Sequence, residues 1–428
     1  MSFQLLSPRE QLVAIMHRIY RAGMTTLSGG NLSILDDNGD IWITPAGIDK
    51  GKLTPNDIMR VRPDGAAEGP HRPSTELPFH RAIYRLRPDV RAIAHAHPPA
   101  LVAFSIVRQV PDTRIVPQAN RFCGPVGYAP YDLPGSEALG ERIAGAFATG
   151  SNVIILENHG MAAAGMTLLE AFQRLETLEF CARIHLRART LGDVLTLDEP
   201  ALSLFDQCAN TLPEFTPVAH SSAERELRRQ VVDIAARAYE RQLLISTQGV
   251  VSARLDTDSF LITPAGRDRL TLGVEDVVLV RGGRREAGKL PSRAVLLHQA
   301  IYAANADVAA IIAAQPPNVT AYAVTLARFD SRTIPESFIL LRDIPQLPYE
   351  MCYTRVDAVA ERVSLRAPVV LMANDGVLAV GHTLLAAFDR LEVAEFSARS
   401  LIDAAVLGEL APMSDEAIEG LKAAFNLS

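Results

Sequence analysis

Hydrophobic and polar positions alternate with two different periods along the chain. Residues 9–22 and 167–188 show the apolar spacing of amphipathic helices. The apolar side of the second helix carries Leu168, Ala171, Phe172, Leu175, Leu178 and Ala182. Short apolar runs at 41–43, 90–96 and 152–156 predict strands. The mixture predicts an α/β fold in which helices cover both faces of a sheet.

This pattern occurs twice. The segment Ile43–Gly47 recurs 219 residues later, the 21 residues from His80 recur after 218, and the 19 residues from Gly165 recur after 216. Three matches in the same order indicate a duplicated domain. We predict a first copy at 8–205 and a second at 222–428. The intervening Pro-containing stretch 212–217 has the composition of a linker, and Ser221 and Ser7 are expected to cap the first helix of each copy.

Composition and charge limit the classes of partner and the cellular location that the sequence predicts. Hydrophobic residues make up 48% of the chain and charged residues 21%, as in folded globular proteins. The net charge of −7 disfavours a nucleic-acid partner, and the sequence contains no apolar run long enough to span a membrane. The first ten residues lack the pattern of a secretory signal. Four cysteines without a CxxC pair predict a reducing, cytoplasmic location and neither disulfides nor a thiolate metal site: Cys123, Cys181, Cys208 and Cys352.

Candidate metal chemistry is confined to the first copy. His95 and His97 are two residues apart on a predicted strand, so both side chains project from one face. His159 follows another strand, just before a glycine. Three neutral imidazoles could bind a metal and leave a coordination position open. The alternative is that these histidines are core residues with satisfied hydrogen bonds.

The second copy provides an internal comparison. The three histidines are replaced there by Ala313, Gln315 and Asp375. Glu76 becomes Ala294, whereas His80 is retained as His298 and the apolar framework persists. Residues that are lost together while the fold survives are predicted to serve one purpose.

Five motifs together resemble the class II aldolase/adducin family. They are Ser28-Gly29-Gly30-Asn31, Thr44-Pro45-Ala46-Gly47, Pro73-Ser74-Thr75-Glu76, His95-Ala96-His97 and Asn158-His159-Gly160. The family includes aldolases for fuculose and rhamnulose phosphates, a ribulose-phosphate 4-epimerase, decarboxylases and the metal-free adducins. The resemblance implies two tandem α/β domains, each with a central, mostly antiparallel sheet covered by helices on both faces.

The resemblance also implies roles for individual residues. His95, His97 and His159 would hold a divalent metal, with zinc favoured and manganese, cobalt or iron able to use the same ligands. Glu76 would be the acid/base, although a carboxylate at this position could instead be solvated or cap a helix. The positions that match the family's phosphate cradle are Ser28, Gly29, Asn31, Gly47, Ser74 and Thr75. A carboxylate is the rival anion, and the glycine-rich turn could serve only to shape the chain.

Two departures bear on the reaction. Ala46 stands where a hydroxyl residue is common, and residues 114–120 lack the tyrosine with which the family's aldolases protonate the leaving aldehyde. Tyr128 and Tyr131 do not align with that acid. The leading hypothesis is a metal-dependent lyase that cleaves a C–C bond, in the manner of an aldolase, through a metal-stabilised enolate. Its substrate would be a small hydroxy or oxo carbohydrate or acid, with or without a phosphate group. The alternatives are a decarboxylase and a non-catalytic, adducin-like binding protein.

The resemblance further implies a homo-oligomer, because family enzymes form four-fold rings with active sites between adjacent subunits. Two chains of this protein would form a pseudo-four-fold ring, with the second copy as a built-in neighbour. Glu336, Tyr349 and Tyr353 are then candidates to reach the substrate. The alternative is that the second copy only buries a hydrophobic interface.

Overall fold

The protein is described here by a computed structural model that covers residues 3–207 and 212–427, so Cys208 lies outside the described residues. The chain divides into two compact units. The first extends to Thr113 and includes Gln118–Ala182, and the second consists of Arg114–Pro117 and the chain from Arg183 onward. The limits of the two repeats at 205 and 222 stay predictions.

The helices and strands of the first unit follow the predicted mixture of the two. The helices are α1 (Pro8–Arg21), α2 (Leu77–Leu86), α3 (Pro99–Ile106), α4 (Pro117–Cys123), α5 (Glu137–Ala148) and α6 (Leu168–Arg189). The strands are β1 (Asn31–Leu35), β2 (Ile41–Ile43), β3 (Met59–Val61), β4 (Ala67–Glu68), β5 (Ala92–Ala96), β6 (Val126–Ala129), β7 (Val153–Leu156) and β8 (Gly160–Gly165). They form a sheet in the order β4-β3-β2-β1-β5-β8-β7-β6. Its pairings are antiparallel except for β6 with β7, which confirms the predicted fold class.

Helices cover both faces of this sheet. One core contains Leu12 of α1 and Phe172 of α6, and the other contains Ile83 of α2 and Phe147 of α5. The six apolar residues predicted on one side of α6 are all buried. Along β5 the alanines at 92, 94 and 96 enter the first core and Ile93 the second, so His95 faces α2.

The second unit repeats this order of strands. Its strands are β9 (Glu214–Phe215), β10 (Val250–Arg254), β11 (Ser259–Ile262), β12 (Val278–Arg281), β13 (Arg284–Glu286), β14 (Ala310–Ala314), β15 (Gln346–Leu347), β16 (Val369–Met372) and β17 (Gly376–Gly381). Its helices are α7 (Glu199–Gln207), α8 (Ser222–Glu240), α9 (Val295–Ala304), α10 (Pro317–Ala323), α11 (Pro335–Leu341), α12 (Met351–Thr354), α13 (Val356–Ala360), α14 (Leu384–Ala405) and α15 (Asp415–Phe425). The sheet order is β15-β16-β17-β14-β10-β11-β12-β13-β9. Apart from β9 it is the order of the first sheet, position for position.

The stretch 212–217 differs from the linker that its composition predicts. Glu214–Phe215 forms β9, which pairs in parallel with β13 and extends the second sheet by one strand. The predicted helix caps are confirmed: Ser7 and Glu10 form a capping box on α1, and the Ser221 side chain accepts from the Glu224 N–H on α8. Cys123, Cys181 and Cys352 are buried free thiols. In residues 3–207 and 212–427, no helix is both long and apolar enough to cross a membrane.

Candidate active site

The structure brings the three histidines of the first copy together. His95 lies near the end of β5 and His97 just after it, while His159 occupies the turn between β7 and β8. The Nε2 atoms of His95 and His97 are 3.1 Å apart, and one ring nitrogen of each histidine lies within 4.8 Å of the other two. Nitrogen ligands about 2.0–2.1 Å from one zinc ion are at most about 4.2 Å apart, so small side-chain rotations would suffice.

The ring of His95 is oriented by the backbone. Its Nδ1 lies 2.8 Å from the carbonyl oxygen of Met161 on β8, and a carbonyl can only accept, so Nδ1 carries a hydrogen. The Nε2 atom therefore faces His97 and Glu76 with either a lone pair or a second, displaceable proton. This is the arrangement in which protein histidines bind metals.

The other two histidines are uncharged at neutral pH, which favours binding of a cation. Burial, and secondarily the charge on His95, lowers the pKa of His97 to about 3 and that of His159 to about 4. Both rings are therefore neutral at pH 7 and keep a free lone pair.

Glu76 completes the cluster from the start of α2. Its Oε2 lies 3.2 Å from His95 Nε2 and its Oε1 3.5 Å from His159 Nε2. Burial opposes ionisation, but attraction to His95, together with its hydrogen bond, holds the pKa of Glu76 below its usual range. Glu76 occupies the N-cap position of α2, but its side chain makes no capping hydrogen bond there. Within the described residues, buried Oε1 accepts no hydrogen bond, which suits a nearby cation.

Glycines allow the backbone to approach this cluster. A Cβ at Gly29 would lie 2.9 Å from His97 Nδ1, and one at Gly160 would lie 2.5 Å from the Ala96 carbonyl oxygen. Asn158 has a φ of 52°, a left-handed conformation that asparagine tolerates and that turns the chain before His159. Larger residues at the two glycines would displace the histidine pair.

The predicted anion-binding segments are only partly assembled around this cluster. Pro45 and Pro73 form an isolated antiparallel bridge, and the Ser74 N–H donates to the Thr44 carbonyl, so loop 44–47 lies against 72–75. Gly47 has a φ of 69° and open space around it. Ser28 and Thr75 are exposed, whereas the Ser74 hydroxyl accepts from the Glu76 N–H.

Asn31 is placed differently from the other predicted anion ligands. Its side chain is buried, with 3% of its surface exposed. The amide Nδ2 donates to Glu76 Oε2 at 2.7 Å, and Oδ1 lies 2.5 Å from His80 Nε2. The amide is thus held between two protein side chains.

Sequence reasoning missed three residues beside the cluster. Ser33 Oγ lies 2.6 Å from His80 Nδ1 and 2.6 Å from the Tyr84 hydroxyl. Buried Lys50 donates to the Pro45 carbonyl at 2.6 Å and thereby fixes loop 44–47. The signal that could have found them is the second copy, which keeps the Ser33 and Tyr84 side chains and puts Arg269 at the position of Lys50.

The corresponding region of the second copy is filled by its own side chains. Gln315 donates to the Asp375 carbonyl at 2.9 Å, and the Tyr353 hydroxyl donates to the Asp375 carboxylate at 3.0 Å. Phe205 of α7 packs edge-on against Tyr353. The Arg293 guanidinium lies 3.5 Å from the centre of the Phe205 ring. These contacts occupy the region that corresponds to the histidine cluster.

The three second-copy residues proposed to reach the substrate differ in exposure. Tyr349 is buried in a cluster with Leu197 and Leu202, and Tyr353 packs beside it. Glu336 is exposed on α11. The two tyrosines are therefore engaged within the second unit, which gives no support to their proposed role.

Comparison with known proteins decides the family. The model of the class II aldolase and adducin N-terminal domain matches residues 10–186 and again 229–402. The chain belongs to the class II aldolase and adducin family. The two matched regions confirm the tandem duplication, and their limits lie within the two repeats predicted from the sequence.

Relatives within this family have two kinds of lyase activity. The 5-deoxy-D-ribulose 1-phosphate aldolase of Bacillus thuringiensis is 32% identical over 49% of this chain and 96% of its own length. The 3-oxo-tetronate 4-phosphate decarboxylase of Escherichia coli is 31% identical over 42% of this chain and 85% of its own length. The L-fuculose phosphate aldolase of Methanococcus vannielii is 33% identical over 41% and 94%, respectively. Each relative therefore corresponds in length to about one copy.

Proposed function

We propose that this protein is a metal-dependent carbon–carbon lyase whose reaction takes place at the first copy. The observation that carries the proposal is the convergence of three imidazoles and Glu76, all four of which are absent from the second copy. A conserved fold with a cluster present in only one copy points to chemistry rather than to packing.

The metal would be held by His95, His97 and His159. Zinc suits three nitrogen ligands with an open position, and manganese, cobalt or iron could use the same residues. When bound, such an ion would act as a Lewis acid that stabilises the negative charge of an enolate. The Met161 carbonyl keeps the ring of His95 turned toward the ligand cluster.

Glu76 would move the proton. Its buried carboxylate lies beside the histidines, and burial keeps bulk water from competing for that proton. Removal of a proton from the substrate, or its return to an enolate carbon, requires an acid or base in contact with the reacting atoms. Glu76 would supply that group in the first copy.

The substrate would carry an anionic group at one end. Support comes from the open backbone around Gly47, from the exposed hydroxyls of Ser28 and Thr75, and from the three relatives named above, which act on phosphorylated compounds. We therefore prefer a phosphate to a carboxylate as the anionic group of the substrate. We expect Gly29 and Ser74 to shape the part of the site that binds this group.

Aldol cleavage is the leading reaction, and decarboxylation is the second candidate. The second is favoured by the absence of tyrosine from residues 114–120 and by the similarity to the decarboxylase. Incubation with phosphorylated ketoses and phosphorylated 3-oxo acids separates the two: an aldehyde product indicates an aldolase, and released CO₂ a decarboxylase. Turnover of neither class by the metal-loaded protein would contradict the proposed function.

The oligomer proposal has its own test. A homodimer that forms a pseudo-four-fold ring should give a light-scattering mass twice the 46.4 kDa of the chain. A monomeric mass in an active preparation would contradict the proposed ring and leave the lyase proposal intact.

A further inference from the structure

A row of buried polar side chains leads from the interior of the first unit to Glu76. Glu76, His80 and Tyr84 are four residues apart at α2 and so share one helix face. Asn31 and Ser33 share one face of β1, which pairs with β5 beside His95. Consecutive contacts measure 2.6, 2.6, 2.5 and 2.7 Å along Tyr84, Ser33, His80, Asn31 and Glu76.

The donors and acceptors in this row follow from the placement of the Asn31 amide and from a neutral His80. The amide nitrogen of Asn31 faces Glu76 Oε2 and donates to it, and the amide oxygen, Oδ1, faces His80 Nε2. The Nε2 of His80 must then donate. Burial, and secondarily the charge of His95, lowers the pKa of His80 to about 3, so its Nδ1 is an acceptor for Ser33. The Ser33 oxygen accepts from Tyr84 in turn.

The second copy keeps the inner part of the row and lacks the outer part. Ser252, His298 and Tyr302 make the same contacts, at 2.7 and 2.8 Å. The positions of Asn31 and Glu76 hold Val250 and Ala294. As a result, His298 Nε2 has no hydrogen-bond partner among the described residues. The inner contacts are therefore framework, and the outer ones occur only where a carboxylate must be held.

We propose that Asn31 and His80 are positioning residues that fix the Glu76 carboxylate against the histidine cluster. The proposal rests on the proposed function and adds two residues to it. The Asn31 side chain serves Glu76 instead of the anionic end of the substrate. A carboxylate held by a charge-assisted hydrogen bond from a fixed amide cannot rotate freely, so its oxygens stay beside His95 and His159.

The first test compares two histidines with the same inner contacts. His80→Leu should lower kcat roughly 10- to 100-fold, the usual effect of removing a residue that supports a metal site, with little change in KM. His298→Leu removes the same framework contacts and should leave kcat unchanged. Equal losses of kcat in the two variants, or no loss in either, would overturn the proposal.

A second set of variants separates the hydrogen bond from side-chain volume. His80→Gln places an amide near the lost Nε2 and should recover most of the kcat lost in His80→Leu. Asn31→Leu should match His80→Leu, and the double variant should be no worse than either, because both break one row. Additive losses, or a KM effect confined to Asn31→Leu, would instead make Asn31 a substrate ligand.

Two readouts need no turnover. Nitrogen-15 NMR should show His80 neutral with its proton on Nε2; a proton on Nδ1 would reverse the row and overturn the proposal. Crystal structures of the Asn31→Leu and His80→Gln variants should show Glu76 displaced in the first and in place in the second. An unmoved Glu76 in Asn31→Leu would contradict the proposal even if no substrate is found, whereas an inactive wild type alone contradicts only the lyase.

Discussion

The two copies share a strand order and differ in the side chains at the end of one strand, which is β5 in the first copy and β14 in the second. In the first copy His95, His97 and His159 meet Glu76 there, and in the second Asp375 is bonded to Tyr353 and covered by α7. The paired loops persist in both, since Pro264 and Pro291 form the same bridge as Pro45 and Pro73. The difference shows that this fold does not depend on the residues of the site.

A pair of equivalent buried histidines, one in each copy, also shows that the fold does not depend on the residues around the site. His80 and His298 are both fully buried and both contact a serine. Only His80 has a partner for each ring nitrogen within the described residues. A buried polar atom left without a hydrogen bond costs about 1–3 kcal/mol, and the second copy tolerates that cost. The Asn31 contact is therefore not required for the fold.

The largest effect should come from Glu76→Gln. Loss of the proton carrier should lower kcat roughly 10²- to 10⁴-fold while bound metal is retained, because the amide keeps the shape of the side chain but cannot take up a proton. Steady-state kinetics and metal analysis of the same preparation check this. Asp375→Asn, in the counterpart region, is the control and should turn over at the wild-type rate; a comparable loss there would break the distinction between the copies.

Removal of the α7 contact should affect stability but not turnover. Phe205 is 5% exposed and packs against Tyr353 and Arg293, so Phe205→Ala should lower the free energy of unfolding by about 3 kcal/mol. Urea denaturation measures this, with activity assayed in parallel. A fall in kcat without loss of folded protein would show that the second copy contributes to catalysis.

Acid should destabilise both copies through their buried histidines. The pKa of His80 and that of His298 are each lowered to about 3 by burial, against 6.5 in the unfolded chain. The unfolded state then binds more protons between these values, so stability falls as pH drops from about 6.5 to 3, by up to ~1.4 kcal/mol per pH unit for each histidine. His97 and His159 add to this slope in metal-free protein. His298→Leu should reduce the slope measured by denaturation at several pH values; an unchanged slope would show that His298 is not held neutral.

The smallest effect comes from a matched pair of glycines. Gly47 has a φ of 69° and Gly266 a φ of 68°, and both have open space for a Cβ. Alanine at either position should cost about 1–2 kcal/mol in the left-handed region. Only Gly47→Ala should also raise KM, because the anionic end of the substrate is proposed to bind there. Equal KM values for the two variants would place the anion elsewhere.

Local patterns were enough to predict the framework and the common face of two of the three histidines. The apolar face of α6 and the caps at Ser7 and Ser221 follow from periodicity and capping, which are properties of neighbouring residues. The common face of His95 and His97 could be predicted because side chains two residues apart on a strand project from the same side. These predictions needed no knowledge of which strands pair.

What the sequence did not reveal depends on contacts between distant residues. An asparagine amide can face either a substrate or a side chain, and only the packing of α2 against β1 places Asn31 between His80 and Glu76. Likewise, nothing in the stretch 212–217 shows that two of its residues pair with β13. Comparison of the two copies could have indicated Ser33 and Tyr84, since both side chains recur in the second.

The central claim is that the first copy alone holds a metal, and the metal content of the purified chain tests it most directly. Protein prepared without chelator and reconstituted with zinc should contain one tightly bound divalent ion per chain. The His95→Ala/His97→Ala variant should contain none, and Gln315→Ala, at the counterpart of His97, should retain the full amount. A wild-type chain that binds no divalent ion after reconstitution, or a double variant that keeps it, would contradict the account.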